Sequence, residues 1–285
     1  MQFGIFDYAT DRTMHPAELA VEVERRGFDS LFVPDHTHIP VSRQSPWPGG
    51  AELPEHYKRM MDPFAWLGVA AAVTQRIKLG TGICLIVERD PIVTAKEVAT
   101  LDHLSHGRVL FGIGAGWNRE EMENHGTDYT RRFKLMRERT EAMQAIWHHE
   151  VAEYHGEFVN FDKLWAWPKP AQRPHPPIFM GGEGLRTLKR TVAYADVWLP
   201  LDPGVEHLTP DGMTFAQQVS ALQRLAAEAG RGRIPIHLFF AARKPEVLKR
   251  HRDSGIDGVI WPLPPTGRDA ALARLDELAT LRDRL

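Results

Sequence analysis

Two residues stand where a short apolar run stops: Asp35 and His36 follow Ser30-Leu31-Phe32-Val33-Pro34. A histidine ending a parallel strand points toward whatever the next loops enclose, and its imidazole gives or takes a proton near neutral pH. The alternative is a histidine that only packs or caps the loop. Asp35 suits an orienting role better than a catalytic one. Asp7 and Tyr8 end the first apolar run in the same way, and Tyr8 is a candidate wall of a substrate pocket. Cys84, the single cysteine, follows Thr81-Gly82-Ile83. A nucleophilic thiol needs a base partner, and with none evident Cys84 reads as inert and buried.

Glycine supplies the second signal. Gly112, Gly114 and Gly116 precede Trp117 in the stretch GIGAGW. A dinucleotide fingerprint needs G-x-G-x-x-G in the first βαβ unit and an acid ending the second strand. Here the spacing is G-x-G-x-G, in the fourth strand, so that reading fails. Two alternatives stay open: glycines that let a flat ligand lie close to the backbone, or a strand bulge with no ligand. Gly181-Gly182-Glu183-Gly184 joins a later strand to a helix beginning near Leu185. Amides at such a junction favour a phosphate, unless this is a plain tight turn. The Glu183 carboxylate would have to turn away, with Arg186 and Lys189 offsetting it. Trp117 cannot transfer protons, so it walls the pocket or stacks on a ring, and Trp47, Trp165 and Trp167 are further aromatic candidates. Glu120 and Glu121 read as solvated residues of a short helix. His103, His106, His148 and His149 lack metal-ligand spacing, so no metal is expected.

These residues need a scaffold. Eight apolar runs, at 2–6, 30–33, 78–85, 109–114, 178–181, 196–199, 236–240 and 258–262, are apolar nearly throughout, as in strands covered on both faces. Between them Pro16, Pro63 and Pro91 mark first helical residues, Asp62 and Asp90 are N-caps, and Gly27, Gly107 and Gly255 mark helix ends. Eight strands alternating with helices are the arithmetic of an α/β protein of the (β/α)8 TIM-barrel class, one domain over 1–285, with a doubly wound sheet as runner-up. Long segments at 37–61 and 151–177, after strands 2 and 4, are expected to emerge at the C-terminal face, where ligands bind.

Composition excludes several functions. Of 285 residues 43% are hydrophobic, the formal net charge is −2 and no basic run stands out, which argues against nucleic acid or an anionic membrane as partner. No apolar stretch reaches ~18 residues and the first residues lack a signal-peptide pattern. With one cysteine, the expectation is a cytoplasmic protein acting on a small-molecule substrate.

Thr100-Leu101-Asp102-His103-Leu104-Ser105-His106-Gly107-Arg108 followed by GIGAGW resembles the signature of the bacterial luciferase-like superfamily of flavin and deazaflavin enzymes. Arg89-Asp90-Pro91 with Ala95-Lys96, then Pro168-Lys169-Pro170, Gly181-Gly182 and ADVWLP, extend the similarity to about residue 200. The resemblance implies a (β/α)8 barrel, a homodimer joined through helices at 62–73 and 91–105, and a cofactor at the C-terminal mouth. That cofactor is coenzyme F420, which the Asp35-His36 pattern favours, or alternatively FMN. The implied contacts are Asp35, His36, Gly82, Ile83, Cys84, Gly114, Gly116, Gly181, Gly182 and Glu183, with His36 as proton donor, a cis peptide at Gly82–Ile83, and Tyr8, Trp47 and Trp117 around the substrate. Trp117 departs from the sugar-phosphate dehydrogenase branch, which carries a carboxylate there. Three functions follow: an F420-dependent oxidoreductase moving hydride, an FMN monooxygenase fed by a partner reductase, or a non-catalytic binding protein on the same scaffold.

Overall fold

The computed structural model describes residues 1–50, 52–202, 209 and 211–285. All eight apolar runs form parallel strands: β1 (Gln2–Phe6), β2 (Ser30–Val33), β3 (Lys78–Thr81), β4 (Val109–Ile113), β7 (Ile178–Gly181), β8 (Val197–Leu199), β9 (His237–Phe239) and β10 (Gly258–Pro262). They pair in the order β8-β7-β4-β3-β2-β1-β10-β9. Parallel bridges Trp198–Ile236 and Leu201–Phe239 join β8 to β9 and close the ring. This is a (β/α)8 barrel.

Residues alternate across each strand and build two apolar layers. Phe6, Phe32, Phe179, Leu199, Phe239 and Ile260 fill the barrel interior. Ile5, Leu31, Val33, Leu79, Phe111 and Ile113 face outward into the cluster shared with the helices. Those helices are α1 (Pro16–Arg25), α2 (Pro63–Val73), α3 (Pro91–Leu104), α4 (Arg119–Asn124), α5 (Arg132–His148), α6 (Leu185–Tyr194), α7 (Phe215–Glu228), α8 (Pro245–Asp253) and α9 (Arg268–Arg282). Their starts follow local chemistry. Asp62 accepts from the Ala65 amide at 2.9 Å, Asp90 from those of Ile92 and Val93 at 2.9 Å, and a proline opens both of these helices, α2 and α3. Gly27, Gly107 and Gly255, past helix ends, have positive φ.

One expectation about the loops is overturned. Two helices, α4 and α5, follow β4, and residues 151–177 begin only after α5 has carried the chain back to the N-terminal end of the barrel. The segment holds an antiparallel hairpin, β5 (Ala152–His155) and β6 (Asn160–Leu164), lying along α5. Glu138 of α5 accepts from the amides of Glu157, Phe158 and Val159 at its turn. Trp165 and Trp167, proposed as pocket walls, are 75% and 56% exposed outside the barrel. The connection on the ligand face after β4 is 114–131, which carries α4.

Candidate active site

At the C-terminal end of the strands a cavity of about 510 Å³ gathers Phe6, Tyr8, Asp35, His36, Gly82, Ile83, Gly114, Gly116, Trp117, Gly181, Gly182 and Glu183. Eleven of these come from five strand ends of the sequence reading, and Phe6 was missed because it ends β1 as one more core phenylalanine. Two expected residues are not there. Cys84 is fully buried behind the wall, where its amide bonds the Gly112 carbonyl at 2.7 Å and burial first of all pushes its thiol well up. Trp47 stands one layer out, its ring 5.8 Å from that of Tyr57. The Gly82–Ile83 peptide is cis.

His36 is held from behind. Its Nδ1 lies 2.7 Å from Glu121 Oε2, and Glu121, on α4, has no exposed surface. The expectation that Glu121 is solvated was therefore wrong: α4 turns this acid inward, with Asn118 capping its amide at 3.3 Å. Glu120, the other acid taken as solvated, grips the 37–61 loop by accepting from the Ser45 amide at 2.9 Å and from the Ser45 hydroxyl. Burial opposes its charge, but these bonds bring Glu120 down to about 2. Thr37 contacts His125 at 2.7 Å and His38 contacts Asn124 at 2.8 Å, so α4 anchors the loop at three further points including His36.

Asp35 faces away from the cavity centre. It accepts from the Leu85 amide at 3.0 Å and takes Arg89 in a two-point pair at 2.7 Å, which ties β2 to the turn after β3. Asp7 is likewise structural: it accepts from the Ala9 amide at 2.8 Å, and burial raises it to about 6. Tyr8 reaches the cavity, pushed up to about 12 chiefly by burial, and is therefore a neutral phenol at physiological pH. The 37–61 loop contributes Tyr57 and Met60, and the Tyr57 ring stands 5.5 Å from His36 and 6.3 Å from Trp117. These two loop residues carry no motif, so only folding reveals them.

Two cations stand behind one wall residue of the cavity, Phe133, close to the start of α6. The Gly184 amide bonds Gln218 Oε1 at 2.8 Å and the Leu185 amide bonds Asp211 Oδ2 at 2.7 Å, so part of the α6 N-terminus is already engaged. Gly182, Glu183 and Thr187 line the cavity beside this terminus, Thr187 being another wall residue that sequence reasoning missed. Beside them Phe133 lies between two guanidinium groups, with Arg132 at 4.4 Å and Arg190 at 3.8 Å from its ring centre. Burial first, then the charges of Arg186 and Arg132, lower Arg190, and among the described residues no carboxylate pairs with Arg132 or Arg190. A glycine-lined apolar slot with unpaired cations at one end fits a flat ring carrying an anionic tail. Among the described residues no group of His, Cys, Asp and Glu is placed to hold a metal ion, and no helix is long and apolar enough to cross a membrane.

Comparison with known proteins agrees with the fold. An uncharacterized protein of Mycobacterium tuberculosis is 42% identical over 284 residues, covering 98% of each chain. A monooxygenase from Streptomyces bottropensis superposes with a TM-score of 0.79 at 19% identity over the whole of both chains. An F420-dependent secondary alcohol dehydrogenase in complex with an F420–acetone adduct gives 0.76 at 19% identity, over 98% of this chain and 97% of that one. The oxygenating constituent of 3,6-diketocamphane monooxygenase from Pseudomonas putida, in complex with FMN, gives 0.64 at 18% identity, over 90% and 71%. At such identities these structures speak for the fold alone. The profile of the luciferase-like monooxygenase family matches residues 1–284, and with that span the chain belongs to this family.

Proposed function

We propose that the protein is an F420-dependent oxidoreductase that moves hydride to or from a small, uncharged organic substrate. The observation that carries this reading is the pair of unpaired arginines, Arg132 and Arg190, flanking Phe133 at the cavity rim. The single phosphate of FMN needs only the Gly182–Thr187 stretch. The deazaflavin tail continues past its phosphate into carboxylates, and further cations suit it.

When bound, the deazaflavin supplies or accepts hydride at a ring carbon, which disfavours oxygen chemistry. The protein supplies placement and a proton. With Nδ1 directed at Glu121, His36 has Nε2 left for the substrate oxygen, where it holds a proton as hydride arrives at carbon or removes one in the reverse direction. The apolar walls Phe6, Leu199, Phe239 and Trp117 exclude water from the transfer. Among the described residues no lysine or arginine lines the cavity, and this favours a ketone or alcohol over a phosphorylated substrate. We further infer a homodimer, supplied with reduced cofactor by a separate reductase.

Titration of the purified apoprotein with F420 and with FMN tests the reading. Binding of F420 at low micromolar concentration, with FMN much weaker, is expected. Tight FMN binding with F420 ignored would replace this reading by the flavin monooxygenase one.

A further inference from the structure

Behind the His36–Glu121 pair lies a second buried acid that the hydride chemistry does not use. Glu88 ends the one-turn helix Ile86–Glu88 after β3 and is 8% exposed, and neither of its carboxyl oxygens has a hydrogen-bond partner. Glu121 is completely buried, and its Oε1 also has none. Three buried oxygens without a donor are costly unless a proton lies among them. The two carboxyl groups are within hydrogen-bond reach of each other, and buried carboxyls so placed share a proton.

The surrounding charges do not relieve the pair. Asp35 beyond β2 adds to the repulsion and Arg89 opposes it, but Arg89 is engaged by Asp35 and Asp62, with Glu97 of α3 at 3.7 Å. Arg139 of α5 faces Glu88, yet it donates to the Ile86 carbonyl at 2.8 Å. His125 faces Glu121 and is lowered mainly by burial. Among the described residues no lysine or arginine comes within ion-pair distance of Glu88 or Glu121.

We propose that Glu88 carries a proton and donates it to Glu121 Oε1, making Glu88–Glu121–His36 a chain in which Glu88 is the positioning residue. Glu121 Oε2 then accepts the Nδ1–H of His36. That bond fixes the imidazole tautomer and leaves Nε2 for the cavity. The catalytic consequence rests on the reading of His36 given above, whereas the shared proton does not.

The test uses full-length protein without cofactor, so its failure is distinct from failure of the F420 reading. Infrared difference spectroscopy at pH 7 is expected to show a protonated-carboxyl C=O band that disappears in Glu88→Gln. A missing band, or one that survives in Glu88→Gln, overturns the proposal. Histidine-labelled NMR of the His36 ring nitrogens reads the positioning role. Glu88→Gln still donates to Glu121 through its amide and is expected to keep the wild-type Nδ1–H signal of His36. Glu88→Met cannot donate and leaves Glu121 Oε1 without a donor, and it is expected to shift that signal. An unshifted His36 Nδ1–H signal in the Met variant overturns the positioning role. Should Glu88→Met fail to fold, the Gln variant still decides through its infrared band and its His36 signal.

Discussion

The side chain of Ile83 occupies the space that a side chain on Gly114 would need: a Cβ there would overlap Ile83 Cδ1, and one on Gly181 would meet Ile83 Cγ2 at 3.2 Å. The glycines of β4 and β7 therefore serve a neighbouring residue first. They let Ile83 lie across the cavity floor between two strands, and the ligand then rests on Ile83 as well as on bare backbone. Gly114→Ala is expected to push Ile83 into the cavity and weaken cofactor binding by tenfold or more, with about 1–3 kcal/mol lost from stability. The double variant Gly114→Ala/Ile83→Ala should recover much of both. Fluorescence titration and chemical denaturation check this. A single Ala variant that binds like wild type would break the link between the two residues.

The arginines around Phe133 predict how affinity depends on salt. Arg190→Ala and Arg132→Ala should each weaken F420 binding by roughly tenfold to a hundredfold, in line with lost bonds between charged groups. The slope of affinity against ionic strength should fall with each. FMN binding should change less than F420 binding, because on the proposed reading its shorter tail would end at the Gly182–Thr187 stretch. Equal losses for both ligands would place these cations at the phosphate itself and remove the preference for a longer tail.

Glu88 predicts a dependence of stability on pH. Burial first, then the charge of Glu121, raise it from the ordinary carboxylate range to about 9 in the folded protein. Below about 4.5 the group is neutral in both folded and unfolded chains and its burial costs least. Between about 4.5 and about 9 the unfolded chain has released a proton that the folded chain keeps. Stability then falls as pH rises, by up to about 1.4 kcal/mol per pH unit, and levels off above 9. Glutamine at 88 does not titrate. Glu88→Gln should match wild type near pH 4.5 and exceed it by a few kcal/mol near pH 8. Urea denaturation of both proteins across that range measures the gap, and a gap that does not widen with pH counts against a buried, protonated Glu88.

What the sequence revealed and what it hid have separate physical origins. Strands, caps and helix ends are local, and Pro63 behind Asp62 or Gly107 after Leu104 announces itself within a few residues. The backbone-lined part of the site was legible for the same reason, since its glycines cluster within a few residues of each strand end. Glu121 was hidden because Arg119–Asn124 reads as a charged surface helix, and its burial comes from His36, 85 positions away in the chain. Residues 151–177 were assigned to the wrong end of the barrel because α4 and α5 both follow β4, an insertion with no period of its own. Tyr57 and Thr187 are single residues brought in by chain direction, and no spacing marks them.

The outer face of the barrel carries the last prediction. α2 is apolar on both sides: Trp66, Leu67, Ala70 and Ala71 turn to the barrel, while Ala65, Val69, Ala72 and Val73 are exposed. Next to it the first turn of α3 exposes Ile92 and Val93, and a side chain at Gly68 would meet nothing within 4 Å. A helix with water on one side ordinarily makes that side polar, and contiguous apolar surface on two adjacent helices marks an interaction site. A second copy of the chain, related by a two-fold axis, would set this self-complementary face against its equal. The protein is therefore expected to scatter light as a dimer at micromolar concentration. Val69→Arg would place a charge in the middle of the face without disturbing the barrel side of α2. It should give a folded monomer with unchanged helical content. Wild-type protein that is already monomeric, or a Val69→Arg variant that remains dimeric, would move the contact elsewhere or abolish it.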